Sequence, residues 1–300
     1  MARETNTYCL EMISTVVVTY NRRLLLQNCI NNLLSQDINE DFEIIIVDNC
    51  SSDNTEGFIR RQLNNRIKFI RNENRLNIWN CKKLAVKYSS GDIIAFIDDD
   101  CLAEKNWLKV AKNSLSNCDF VGGVVLPASN VKFPWWWRKS LDWLVGINTE
   151  PGEKFLPPGS NMVFRKYVLD RLHKDEQNII LEYNRYLPYA EDNYRVKKAL
   201  SLGFSMKINP EMIVYHQIPA NRLKIAYLVK RSYREGRAKA RYAHHLRDIF
   251  SLLAVSLPYH MVRLFISLDI NYVFRIICDG SFIFHCLTPR QMNNCLLRLT

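Results

Sequence analysis

The chain has 300 residues, 48% of them apolar, and a formal net charge of +11. That length and composition exclude general disorder and fit one large or two small domains with a sizeable core. Nine scattered cysteines, odd in number and without a C-x-x-C pair, exclude a disulfide framework and a zinc knuckle.

The opening stretch, MARETNTYCLEM, has no signal-peptide apolar run, so reduced thiols and a cytoplasmic location are expected. ISTVVV, residues 13–18, is a strand, and residues 22–36 follow as a helix with Leu26, Ile30, Leu33 and Leu34 on one face. FEIIIV, residues 42–47, is the second strand. Asp53 and Glu56 have the spacing of a capping box for the next helix. RIKFIR, residues 66–71, is the third strand, and residues 80–90 a helix closed by Gly91. GDIIAFI supplies the fourth strand, residues 104–115 a helix, and DFVGGVVL another strand. Alternating apolar strands and helices predict an α/β fold, its sheet mostly parallel and covered on both faces.

Further on, GSNMVFRK reads as a short strand, residues 191–202 as a helix, and GFSMKINPEMIVYH as a strand ending in a histidine. From Asn221 the pattern is helical to the end, so the predicted boundary divides residues 1–220 from 221–300.

The chemistry concentrates at strand ends. The second strand ends in Asp48, and the fourth runs into Asp98, Asp99 and Asp100. Ligands of open α/β sheets bind at the carboxyl ends of the strands. Strand alternation sends Asp98 and Asp100 to one side and Asp99 to the other. Such close carboxylates repel unless a cation intervenes, and Mg²⁺ or Mn²⁺ shares carboxylate with phosphate oxygens. The rival reading is a solvated acidic turn in which Asp99 or Asp100 caps the following helix. Thr19, Tyr20 and Asn21 end the first strand, and Ser51, Ser52 and Asp53 follow the second, which favours a nucleotide site.

VVVTYNR, EIIIVDNCSSDNT, GDIIAFIDDD, GSNMVFRK and AEDNYR, in that order, resemble the family 2 glycosyltransferases, which have the GT-A fold. The resemblance runs from about Ile13 to about Tyr242. It implies that Thr19, Tyr20 and Asn21 border the nucleotide, that Asp48 binds its base or ribose, and that Asp98 and Asp100 hold diphosphate and metal. It implies that Gly159, Ser160 and Asn161 border sugar and acceptor. Asp192 would be the catalytic base, with Glu191 beside it, although acids in a first helical turn also suit the helix dipole. His216 would complete the metal site. Where the family often shows Arg-Asn-x-Gly, this chain has RLNIWNCKKLAVKYSS; Lys82 would offer its charge to the diphosphate without a planar fork.

PWWWRKS, residues 134–140, cannot turn all three tryptophans into one core; Trp136 is a candidate for stacking on a sugar, a membrane interface would also suit an exposed tryptophan, and a loop plugged into a second-domain core is the alternative. Residues 220–247 carry nine Lys or Arg against one acid, Glu235, and apolar segments follow. An anionic membrane surface suits that combination, and a helical subdomain with a solvated basic face is the alternative. No nucleic-acid motif is visible. The activity implied is inverting, metal-dependent transfer of a sugar from a nucleotide-sugar, UDP-linked first, to a glycan or lipid-linked acceptor. Two rivals are a sugar nucleotidyltransferase, disfavoured because TYNRRLLLQ lacks glycine, and a non-catalytic membrane or glycan binder.

Overall fold

The structure is a computed structural model that describes residues 11–62, 64–149, 156–177, 191–241 and 252–286. Expectations about residues 178–190, about the side chain of Glu191 and about the last fourteen positions lie outside these. The chain divides into two compact units. The first is Met1–Ala128, Asn148–Tyr186 and Arg195–Gln217; the second is Ser129–Ile147, Leu187–Tyr194 and Ile218–Thr300. The second unit therefore takes in the tryptophan loop as well as the chain beyond residue 217.

The first unit is built on one sheet. Its strands are β1 (Ile13–Thr19), β2 (Phe42–Asp48), β3 (Ile67–Arg71), β4 (Ile93–Asp98), β5 (Cys101–Ala103), β6 (Phe120–Pro127), β7 (Met162–Arg165) and β8 (Met206–His216). They lie in the order β3-β2-β1-β4-β7-β6-β8-β5. Four of the seven pairings are parallel, β1–β2, β1–β4, β2–β3 and β6–β8, and three antiparallel. This is the α/β sheet expected.

Strands β1, β2 and β4 are buried at nearly every position because both faces of the sheet are covered there. Val17, Ile44, Ile46, Ala95 and Ile97 face one layer, with Leu26, Ile30 and Leu33 of α1 (Arg23–Leu34) and Trp107 and Leu108 of α4 (Trp107–Ser114). Val16, Ile45, Val47, Ile94 and Phe96 face the other. There they meet α3 (Ile78–Tyr88), α5 (Lys166–Gln177) and α6 (Glu191–Ser201) through Trp79, Val86, Val168 and Val196. The short helix α2 (Thr55–Arg60) starts after Asn54, in left-handed backbone, with no side-chain cap. Asp53 does not cap it in the expected box; its carboxylate accepts from the backbone N–H of Arg23 and the hydroxyl of Thr55.

In the second unit, Leu141, Leu144, Val145, Ile218, Leu223, Leu228 and Phe274 form a separate core. Its helices are α7 (Ile225–Arg241), α8 (Leu257–Ser267) and α9 (Asn271–Cys286). Helix α7 packs closely on α9 because residue 236 is glycine: a Cβ there would fall 2.0 Å from the carbonyl oxygen of Cys278. Among the described residues no helix is long and apolar enough to cross a membrane.

Candidate active site

Three strands end at one level. Thr19 lies opposite Asp48 across the β1–β2 pairing, and Val18 lies opposite Asp98 across β1–β4. Because β1 sits between β2 and β4, their polar ends form one carboxyl edge.

The loops beyond these ends are stitched together. Asn21 takes the left-handed region, φ 51°, which asparagine tolerates. Its N–H donates to the Ser51 hydroxyl at 2.9 Å, and its side-chain oxygen accepts from the N–H of Ser52 at 2.7 Å. Asn21 thus joins the loop after β1 to the loop after β2. Asp48 is fully buried, accepts from the N–H of Ser51 at 3.0 Å, and lies 3.5 Å from the Arg71 guanidinium. Beside it opens a groove of about 580 Å³ lined by Ser51, Ser52, Asn54 and Arg71 among others. On the Tyr20 ring lies the guanidinium of Arg75, 3.8 Å from the centroid.

The acidic triplet departs from simple alternation. Strand β4 ends at Asp98, which is exposed, and Asp99 and Asp100 form the turn before β5. In that turn both buried carboxylates converge on one cation. Arg22 reaches Asp99 at 2.9 Å and Asp100 at 3.0 Å. Thr19 donates its hydroxyl to Asp99 at 2.8 Å. His216, the last residue of β8, pairs with Cys101 of β5, and its Nε2 lies 3.4 Å from Asp100. Neither Asp99 nor Asp100 caps a helix: α4 begins at Trp107, preceded by Asn106.

The electrostatics follow from burial. Burial, opposed by Arg22 and reinforced by Asp100, leaves the Asp99 carboxyl raised to about 6. Burial works against the charge on Arg22, yet Asp99, Asp100 and Asp98 outweigh it, so its pKa is raised. Arg22 is the cation that lets two carboxylates share a dry turn.

Lys82 is buried in α3, with Nζ 3.3 Å from the carbonyl oxygen of Gly159 and 5.2 Å from the Phe96 ring centroid. It therefore supports the Gly159–Ser160 turn before β7. The Asn161 side chain serves the scaffold. Its oxygen accepts from the Trp107 indole at 2.9 Å, and its nitrogen donates to the carbonyls of Val124 and Met212 at 2.7 and 2.8 Å. Gly123 makes room: a Cβ there would lie 2.6 Å from the Asn161 nitrogen.

Asp192 stands in the first turn of α6. Three residues later, the buried Arg195 stacks its guanidinium 3.5 Å from the centroid of the Trp79 ring. Trp79 also meets His173 edge-on at 5.3 Å. Burial, with Lys83 and Arg195 nearby, lowers His173 to about 4. Trp136 lies partly buried against the second unit's core and beside Trp137, while Trp135 is 89% exposed.

The sequence pattern missed Arg22, Asp99, Arg71 and Arg75. Arg22 closes the VVVTYNR motif, the signal that points to it, and a D-x-D template skips Asp99.

The family model for glycosyl transferase family 2 matches residues 14–172, more than half of the chain. The chain belongs to this family. It is a glycosyltransferase with the GT-A fold. Among its relatives is the glucosyl-dolichyl phosphate glucuronosyltransferase of Haloferax volcanii, 25% identical over 242 residues, 76% of each chain. Among solved structures, the mannosyltransferase PcManGT from Pyrobaculum calidifontis, in complex with GDP-Man and Mn²⁺, superposes with a TM-score of 0.62. It covers 91% of this chain and 87% of its own at 17% identity. The S. aureus TarS fragment in complex with UDP-GlcNAc gives a TM-score of 0.52 at 17% identity, with 93% and 92% covered.

In this family 2 transferase, no three His, Cys, Asp or Glu side chains among the described residues converge as a complete metal cage. Asp100 and His216 do offer an oxygen and a nitrogen 3.4 Å apart, with Asp98 exposed at the strand end just before the turn. Such a partial donor set fits a hard cation that takes its remaining ligands from diphosphate and water. Arg22 already lies on the Asp100 oxygen nearest His216.

Proposed function

We propose that this transferase moves a sugar, with inversion, from a nucleoside diphosphate sugar, UDP-linked first, to a hydroxyl of a lipid-linked or growing surface glycan. The observation that carries the proposal is the common level of Thr19, Asp48 and Asp98 at the ends of three adjacent strands. The glucuronosyltransferase relative, named for a dolichyl phosphate substrate, and the UDP-GlcNAc-bound TarS structure support the acceptor and donor classes.

In this account Asp48, Tyr20 and the groove beside Ser51 receive the nucleoside, with Thr19 and Asn21 holding their loop. Asp98, Asp100 and His216 would hold Mg²⁺ or Mn²⁺, which when bound offsets the charge of the departing diphosphate. Lys82 holds the Gly159–Ser160 turn at the sugar and acceptor side, and Trp136 of the second unit is the stacking candidate. The Asp192 carboxylate, with Glu191 next in sequence, takes the acceptor hydroxyl proton. The acceptor oxygen then bonds to the anomeric carbon as the bond to the β-phosphate oxygen breaks, and nucleoside diphosphate leaves with that electron pair. The enzyme works at the cytoplasmic face of the membrane, where a lipid-linked acceptor is held.

Product analysis with UDP-sugars and Mn²⁺ tests the proposal. UDP and a glycosylated acceptor are expected. Release of pyrophosphate identifies a nucleotidyltransferase instead, and absence of any turnover across donors identifies a binder.

A further inference from the structure

Helix α8 touches α9 through His260 and Arg263 but carries an open apolar side. None of its residues is buried, although Met261, Val262, Phe265 and Ile266 are large and apolar. Phe265 is 88% exposed and Ile266 69%; Leu268, which ends the helix in left-handed backbone, is 83% exposed. These side chains recur at three- and four-residue spacing, the signature of an apolar helical face. Soluble surfaces rarely carry so concentrated an apolar patch without an occupant.

Charge identifies the occupant. The only formally charged side chain of α8 is Arg263. Nearby acids are turned inward: Asp269 accepts from Ser140, and the buried Asp279 accepts from Ser256 and lies 2.7 Å from His260. Asp142 accepts from the Trp137 indole, and the buried Glu235 pairs with Arg231. Lys224 and Lys230 of the same unit are exposed. An apolar helix on a unit whose outward charge is positive fits an anionic lipid surface. A second copy would set like charge against like charge.

We infer that α8 docks this protein on the surface of an anionic bilayer, with Phe265, Ile266 and Leu268 entering the headgroup boundary. The inference deepens the membrane location given in the proposed function by naming the docking element and the lipid charge it meets, and its observations come from the second unit alone.

Flotation of the full chain with vesicles tests it, without donor or acceptor. One set is phosphatidylcholine alone; the other is equal parts phosphatidylcholine and phosphatidylglycerol. Binding to the mixed vesicles is expected, weakened by salt. Combining Phe265→Asp with Ile266→Asp should reduce it on the order of 100-fold, from the apolar area withdrawn from lipid. Tyr88→Ser, at an exposed aromatic of the first unit, should leave it unchanged. Circular dichroism and thermal melting confirm that the exposed-site variants fold. No binding by the wild type, or equal binding by the double variant, overturns the inference. So does a concentration-dependent dimer that the double variant abolishes while vesicles bind neither. Because nothing is turned over, failure here leaves the transfer reaction to its own test.

Discussion

The guanidinium of Arg22 lies 2.9 Å from the carboxylate of Asp99, and the same nitrogen reaches Asp100 at 3.0 Å. One cation therefore binds two adjacent buried acids at the carboxyl edge of the sheet. Arg22 also sits immediately before α1, so this contact fixes the first loop against the acidic turn.

Replacing Arg22 with glutamine should leave two buried carboxylates without their cation. We expect a loss of about 2 kcal/mol, less than for breaking a fully buried pair because Arg22 is partly open to solvent. Urea denaturation measures it. Arg22→Lys should recover part of the loss, having charge but no fork.

His173 gives a pH signature. Its folded pKa, about 4, lies below its ordinary value of 6.5. Between those values the unfolded chain binds more protons, so stability must fall as pH drops from about 6.5 toward 4. The contribution is on the order of 3 kcal/mol, complete above the unfolded pKa. Denaturation of wild type and His173→Gln at matched pH should show a flatter acid limb in the variant.

Asn161→Ala should behave as a scaffold lesion. It removes three internal hydrogen bonds and strands the Trp107 indole. A loss of about 3 kcal/mol is expected. Thermal and chemical denaturation check it, and nucleotide affinity at a temperature where the variant stays folded should change little.

Asp192→Asn tests the proposed base. It should cut kcat by about 10²- to 10⁴-fold while nucleotide affinity is retained. Equal loss of binding would assign Asp192 to the donor site instead. Rapid-quench kinetics and calorimetric titration separate the two.

Much of this fold is legible in residue order because its central strands, β1, β2 and β4, are buried on both faces. Ile93–Ile97 could only be a core strand, and Leu26, Ile30 and Leu33 could only line one side of a helix. Strand β5 is different. Cys101–Ala103 is three residues long and owes its conformation to pairing with β8, more than a hundred positions away. No local propensity announces such a strand. The acidic turn shows the same division. Its position at a strand end is written in the sequence, but alternation stops where the strand stops, and only the turn brings Asp99 beside Asp100 on Arg22. Asn161 stands in a recognisable motif, yet its amide faces Trp107 and two carbonyls that pattern alone cannot bring near.

The central claim is that the ends of β1, β2 and β4 form one nucleoside diphosphate site. Calorimetric titration of UDP, with GDP for comparison, in the presence and absence of Mn²⁺, tests it most directly. The account predicts Mn²⁺-dependent binding of UDP, lost in Asp100→Asn and weakened in Asp48→Asn. Binding that ignores both substitutions, or a folded protein that takes up no nucleoside diphosphate with Mn²⁺ present, would contradict it.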